Sequence, residues 1–304
     1  MRPEDLSILV CPSCHGGLRY DGAFAGQELD EGELVCASCR RHWAVLDGMP
    51  HLFDEAAVRG LDWLSRLSYD AMAPLHDLAV RFLLPILQLE GASREHYMRR
   101  VDLGSLQPRD DGQPVRVLEV GVGAGANLPL IERDLPPGLD AEIWGLDLST
   151  GMMAQCRRRL TSDQDRRVRL LLADAHALPF DAATFDRVFH VGGIAAYRDP
   201  RRGLAEMARV ARPGTPIVVV DEQLDPSRSH WWHQRLMFRL MALTGALPES
   251  PVALLPEGAS HVLNEQTTRF YYCLTFRMRP PRVRPVASTR KGKRSSVSRV
   301  STPG

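Results

Sequence analysis

The sequence predicts an α/β protein: a doubly wound, mostly parallel sheet, preceded by a small cysteine-bearing module and a helical segment. Three observations predict it. From Val115 onward, short apolar runs alternate with helix-period segments, the pattern of βαβ units. The first of these runs ends in alternating glycines, Gly121, Gly123 and Gly125, as a strand does when it turns tightly into a helix. Ahead of this pattern, residues 1–55 hold two Cys-x-x-Cys pairs among turn residues and read as a small fold of their own.

In chain order, residues 1–55 form a ribbon-like module and residues 56–108 a helical lid or linker. In the latter, Leu61, Leu64 and Leu67, and later Leu83, Leu84 and Leu87, recur at helical spacing. Gln107–Pro114 is rich in residues that favour turns. Residues 109–279 carry the α/β pattern. Strands are expected at 115–120, 141–147, 168–172, 187–190 and 216–221, with helices at 128–134, 150–160 and 200–211 between them. His230-Trp231-Trp232-His233 opens a further helix, and the aromatic, β-branched run 268–278 is expected as a late antiparallel strand. Residues 280–304 combine Pro, Ser, Arg and Lys with few large apolar residues, the composition of a disordered tail.

Hydrophobic residues make up 44% and charged residues 25% of the chain, the composition of a soluble globular protein, and six cysteines are too few and too unevenly placed for a secreted disulfide scaffold. The most apolar stretch, Leu78–Leu89, is interrupted by Arg81 and Pro85 and is too short to cross a bilayer, so no membrane span is expected. Met1–Asp5 leads into the first cysteine motif without the apolar core of a signal peptide, and a cytoplasmic location is the expectation. The net charge of +1 hides an asymmetry. Seven basic and no acidic residues lie between Pro280 and Gly304, leaving −6 on the first 279 residues. A mildly acidic body matches a phosphate backbone poorly, so nucleic acid is the less favoured partner. Composition leaves the oligomeric state open.

Cys11-Pro-Ser-Cys14 and Cys36-Ala-Ser-Cys39 are separated by 21 residues. Each pair sets two thiolates on one tight turn, and two such turns make a tetrahedral sulfur site suited to Zn²⁺. Cys11, Cys14, Cys36 and Cys39 are therefore the expected metal ligands, with His15 and His42 as adjacent alternatives. The run Leu9–Cys14, its counterpart Leu34–Cys39 and the following Trp43-Ala-Val-Leu-Asp-Gly-Met-Pro50 resemble the small zinc-ribbon proteins that partner and activate methyltransferases. The resemblance covers about residues 6–53 and implies a structural or partner-stabilising role. An all-cysteine site is closed and offers no position for substrate.

Val115-Arg-Val-Leu-Glu119-Val-Gly121-Val-Gly123-Ala-Gly125-Ala-Asn127 reads as a strand, a glycine turn and a helix start, where backbone N–H groups meet a ligand. Alone, that pattern fits a nicotinamide, a flavin or an adenosylmethionine. Asp147 closes the next strand 26 positions after Gly121, where a carboxylate can take a ribose diol. Asp174-Ala175 close the third, followed by Leu178-Pro-Phe180 and Phe185-Asp186. Together with Glu206-Met-Ala-Arg-Val-Ala-Arg-Pro-Gly214, this ordered set resembles the class I S-adenosylmethionine-dependent methyltransferases, especially the branch with the ubiquinone- and menaquinone-methylating enzymes. The resemblance spans about residues 110–279. It implies a Rossmann-like sheet, S-adenosylmethionine as cofactor and methyl transfer as activity. Carried onto the matching positions, Glu119, Gly121, Gly123, Gly125 and Asn127 border the methionine end. Asp147 takes the ribose hydroxyls, Leu148 and Met152 pack on the adenine, and Asp174 accepts from the adenine amino group beside the Ala175 N–H.

The small-molecule acceptor is less legible. Methyltransferases acting on planar nitrogens commonly carry Asn/Asp-Pro-Pro-Tyr at the end of the fourth strand, where this chain has Phe189-His190-Val191-Gly192-Gly193. His190 is the candidate general base or orienting group, with a pocket-shaping role as the alternative. Asp221 and Glu222, ending the fifth strand, and Tyr69 in the helical segment are further candidates at the same face. An apolar lid favours a hydrophobic acceptor such as a quinone, lipid or natural product. Ribosomal or transfer RNA is the alternative, since some RNA methyltransferases also carry a zinc ribbon. A non-catalytic scaffold recruiting a partner through the ribbon is a third, opposed by the intact cofactor motifs.

Overall fold

Cysteine turns cannot build a core, and the N-terminal module solves this by joining someone else's. Four short strands come first: β1 (Leu18–Ala25), β2 (Glu28–Cys36), β3 (His42–Leu46) and β4 (Met49–Leu52), each antiparallel to the next. They are followed by β5 (Val115–Val120), β6 (Ala141–Asp147), β7 (Val168–Ala173), β8 (Arg187–Val191), β9 (Pro216–Glu222), β10 (Ala259–Gln266) and β11 (Tyr271–Met278). The computed structural model describes residues 1–72, 92–161, 164, 167–243 and 245–280. Among these, the strands form one sheet in the order β1-β2-β3-β4-β7-β6-β5-β8-β9-β11-β10. The run β7-β6-β5-β8-β9 is parallel, and β11 lies antiparallel to β9. Strand order reverses between β5 and β8, and in open α/β sheets the crevice at that reversal is where ligands bind.

The helices are α1 (Leu61–Met72), α2 (Arg94–Val101), α3 (Leu128–Asp134), α4 (Thr150–Arg159), α5 (Pro200–Val210) and α6 (Trp232–Leu243). Their starts are written in the sequence. The Ser149 side chain accepts from Met152 N–H ahead of α4, and Asp199 accepts from Arg202 N–H ahead of α5, whose first residue is proline. No helix among the described residues is long and apolar enough to cross a membrane. The expected strands and helices of the α/β part lie within a residue or two of their anticipated limits. The late strand starts three residues later than expected, at Tyr271, because 267–270 turn back to β10: Thr267 N–H bonds to Tyr271 O. That partner strand β10 was not anticipated, since its middle residues are exposed and lack an apolar alternation. The helical repeat at Leu83, Leu84 and Leu87 and the tail from 281 lie outside the described residues.

The sheet is covered on both faces. One apolar layer holds Leu118, Trp144, Leu171, Phe180, Phe185 and Val188, and the other Val117, Ile143, Leu170, Phe189 and Val218. Ribbon residues Leu9, Cys11, Leu34, Trp43 and Leu52 belong to the first layer. β4 extends the parallel sheet by pairing His51 with Leu172 and Leu52 with Ala173. Val10 N–H bonds to Pro179 O at 3.0 Å, and Arg169 meets the carboxylate of Asp5 at 2.6 Å with both side chains buried. The ribbon is thus continuous with the larger fold, and covers an edge strand that would otherwise be open to pairing.

Candidate active site

The predicted residues lie at the C-terminal ends of β5 to β9 and in the loops that follow them. Gly121 follows β5 with φ +74°, and a Cβ there would come within 3.1 Å of the His190 ring. Gly125, at φ +78°, would set a Cβ 2.8 Å from Cys156 Sγ. Both positions require glycine, for conformation and for space. Beneath this loop, the buried Glu119 takes a 2.6 Å hydrogen bond from Asn127 Nδ2 on Oε1, and Asn127 Oδ1 accepts from Tyr97 OH at 2.6 Å. Glu119 Oε2 is buried with no partner. Burial, only partly offset by Asn127, pushes the Glu119 carboxyl up to about 8. Tyr97 was missed by sequence reasoning, which had no motif to mark it.

Asp147, at the end of β6, accepts from Gly123 N–H on one oxygen and Ser149 N–H on the other, each at 2.9 Å. Burial raises its pKa against those donors. Met152 is buried against the loop at Ala124, and Leu148 is half-buried beside it. α1 closes over this corner: Asp70 Oδ1 accepts from Ser149 Oγ at 2.5 Å and Gly151 N–H at 2.8 Å.

Asp174, after β7, has more partners than expected. Oδ1 accepts from His176 N–H at 2.8 Å and His176 Nδ1 at 2.6 Å, and Oδ2 from Arg198 Nη2 at 2.6 Å. Burial raises the pKa of this carboxyl, but the His176 and Arg198 hydrogen bonds outweigh it and hold it at about 2. Arg198 also grips Asp62 of α1, through its backbone N–H and its guanidinium. Asp174 is therefore part of a buried ion network that fastens α1, while Ala175 stays half-buried at its rim.

At the end of β8, His190 is buried and its Nδ1 lies 2.7 Å from Val120 O. A carbonyl only accepts, so Nδ1 carries the proton and Nε2 the lone pair. Nε2 is buried without a partner, and burial holds the imidazole below its ordinary pKa. Asp221 is fully buried and accepts from Gly193 and Ala195 N–H, fixing the loop after β8. Glu222 is different. It is half-buried, accepts from Tyr271 OH at 3.5 Å, and is pushed up to about 7 by burial and by the charge of Asp221. Tyr69 of α1 belongs to the same corner. Burial and the charges of Glu222, Asp221 and Asp147 raise its phenol pKa, yet 41% of its surface is accessible, as for a side chain lining an open cleft. Of the His230–His233 run, His230 turns away, with Nε2 2.8 Å from Asp225 O.

In the ribbon, the four cysteine sulfurs all lie within 4.8 Å of one another. Cys11 and Cys39 are 3.7 Å apart, and Cys14 and Cys36 3.5 Å. The two turns are alike: His15 N–H bonds to Cys11 O and Arg40 N–H to Cys36 O, with both residues at positive φ. His15 is exposed, and His42 pairs with Glu33 at 2.7 Å, so neither joins the cluster.

The family described as "Methyltransferase domain" matches residues 117–214, and the family described as "Trm112p-like protein" matches residues 3–48. A demethylmenaquinone methyltransferase of Thermus thermophilus is 32% identical over 180 residues, 59% of this chain and 76% of its own length. A phosphatidylethanolamine N-methyltransferase of Cereibacter sphaeroides is 36% identical over 107 residues, 35% of this chain and 50% of that protein. Among solved structures, phosphoethanolamine N-methyltransferase 2 of Haemonchus contortus, in complex with phosphomonomethylethanolamine and S-adenosylhomocysteine, shares the fold. Its TM-score is 0.56 at 14% identity, covering 79% of this chain and 63% of that one. Fold, ordered motifs and relatives converge: the chain belongs to the S-adenosylmethionine-dependent methyltransferases, with a Trm112p-like domain at its N-terminus.

Proposed function

We propose that this enzyme methylates a small hydrophobic acceptor, a quinone or lipid, in the cleft between the strand ends and α1. The observation that carries this is the Tyr271 hydroxyl 3.5 Å from Glu222, a carboxyl poised near neutrality, with the exposed Tyr69 of α1 close enough for its phenol to be raised by that charge. Two relatives carry names that point the same way, one to demethylmenaquinone and one to phosphatidylethanolamine.

The residues present fit the cofactor. Glu119 offers a buried acceptor oxygen with no partner, suited to a cationic amino-acid end, and the glycine loop leaves space that side chains would fill. In this proposal Glu119, Asn127 and the Gly121–Gly125 backbone hold the methionine portion, Asp147 the ribose, and Leu148 and Met152 the adenine face. Asp174, whose Oδ2 keeps a second lone pair beside the Arg198 bond, takes the adenine edge with the Ala175 N–H. The bound cofactor supplies a methyl group activated by its sulfonium. What the protein must add is orientation and removal of the acceptor's proton. Glu222 is placed to take that proton. His190, sealed from solvent and locked in one tautomer by Val120 O, is a positioning residue behind Gly121.

For the cysteine cluster we propose Zn²⁺. Tetrahedral zinc–sulfur bonds of about 2.3 Å set sulfurs about 3.8 Å apart, close to the 3.5 and 3.7 Å found for two of the pairs. The site is closed by sulfur and its role is structural.

Asp147→Ala is expected to weaken cofactor binding by about 2–3 kcal/mol, the loss of charge-assisted hydrogen bonds. Calorimetry reads this, and unchanged affinity would move the ribose site elsewhere. Because Asp147 also holds Gly123 and Ser149 N–H, the variant should melt lower as well. For the acceptor, methyl-labelled cofactor incubated with a whole-cell extract should place label in the organic phase. Label confined to RNA would overturn the hydrophobic-acceptor assignment.

A further inference from the structure

α6 wears its apolar side outward. Gln234 and Phe238 face the protein, whereas Trp232, Leu236, Leu240 and Leu243 keep 73, 46, 53 and 81% of their surface accessible. Their spacing puts them on one face of the helix. Arg235 and Arg239 are exposed beside them, and no acidic residue occurs from Pro226 to Pro248. α1 does the same: Trp63, Leu64 and Leu67 are 55, 46 and 51% accessible, while its Asp62 and Asp70 are tied inward to Arg198 and to the start of α4.

These two faces adjoin each other and the cleft. A Cβ on Gly245, just after α6, would lie 3.3 Å from Leu61 of α1. Phe238 stacks on Phe270, the residue before Tyr271, and Leu247 N–H bonds to Ala195 O in the loop after β8 at 2.8 Å. The apolar surface therefore rims the mouth of the active site rather than the back of the sheet.

We propose that this rim docks on a lipid bilayer carrying anionic headgroups. Exposed apolar surface on this scale marks an interaction face. On α6, tryptophan and leucine flanked by arginine, with no acid on the helix, match the acyl–headgroup boundary of an anionic membrane in both polarity and charge. A second copy fits worse: an isologous pairing through α6 would bring both pairs of arginines into one apolar interface with no acid between them. Docked this way, the cleft opens toward the bilayer, where an acceptor of the proposed class dissolves. That last link rests on the acceptor assignment, but membrane binding itself does not.

The test is flotation of the full-length protein with acceptor-free vesicles of phosphatidylcholine alone and of phosphatidylcholine mixed with phosphatidylglycerol. The wild type should float with the mixed vesicles and much less with the neutral ones. Trp232→Ser with Leu240→Ser should lower vesicle affinity at least about tenfold, and Arg235→Gln with Arg239→Gln should remove the preference for anionic lipid. Both variants should keep wild-type cofactor affinity, which reports that the fold is intact. Wild type that floats with neither vesicle, or variants that float as well as wild type, would overturn the proposal. So would a solution dimer that Trp232→Ser dissociates. Because no acceptor is present, a positive result survives even if hydrophobic acceptors fail in the labelling experiment.

Discussion

Stripping the metal from the cysteine cluster, or replacing Cys36 with Ser, is expected to cost the chain its N-terminal ribbon and to weaken the catalytic domain with it. A structural zinc contributes on the order of 10 kcal/mol to folding, as much as the whole stability of a typical domain, about 5–15 kcal/mol. The outer strand β1 leaves most of its residues exposed, so on that side the cysteine turns are the ribbon's main anchor. The damage should spread through the shared core. Without β4, the edge of β7 is bare, and without Asp5 the buried guanidinium of Arg169 loses its carboxylate. Breaking a buried ion pair of this kind is destabilising. A strong chelator should therefore lower the melting temperature by roughly 20 °C or more and promote aggregation through the open edge. Metal analysis giving well under one equivalent, together with melting indifferent to chelator, would overturn the zinc assignment.

Glu222→Gln is expected to cut methyl transfer about 10²-fold, the usual loss when a general base is removed. The pH dependence identifies the cause. Burial and the Asp221 charge push the Glu222 carboxyl up to about 7, so below that pH it is protonated and cannot accept. Wild-type turnover should rise as pH rises through about 7 and level off above it, while Glu222→Gln should show a low, flat profile. His190→Gln can still donate to Val120 O and should keep the wild-type limb. If the limb disappears in His190→Gln and survives in Glu222→Gln, proton transfer belongs to His190.

Much of this was legible in the sequence because it is local. Strand, glycine turn and helix at 115–134 are written in consecutive residues, and Asp147 and Asp174 are marked by where their strands end. The paired Cys-x-x-Cys turns also carry their own geometry. What escaped was set by distant partners. Asp174 looked like a single adenine contact, yet Arg198 reaches it from the loop after β8 and ties it to α1, while His176, two residues on, holds its other oxygen. Tyr97 completes the Glu119–Asn127 chain from 30 residues upstream of Asn127 with no motif around it. His190 and Glu222 each end a strand, and the sequence put His190 first with Glu222 as a further candidate. Only burial separates them, sealing one nitrogen away and leaving one carboxyl at the cleft. The ribbon's parallel pairing with β7 was likewise invisible, because β4 is four residues long and its register depends on the neighbouring edge.

The most direct test of the cofactor's place at the strand ends follows the proton on Glu119. Its carboxyl is held at about 8 while Oε2 lacks a partner, so at pH 7 it is mostly protonated. A cationic group arriving at Oε2 lowers that pKa and drives the proton off. Calorimetric titration with S-adenosylmethionine at pH 7, in buffers of different ionisation enthalpy, should find roughly one proton released per cofactor bound. Glu119→Gln should bind more weakly and release none. Proton-independent binding by the wild type, with affinity unchanged in Glu119→Gln, would show that the cofactor's cationic end lies somewhere else.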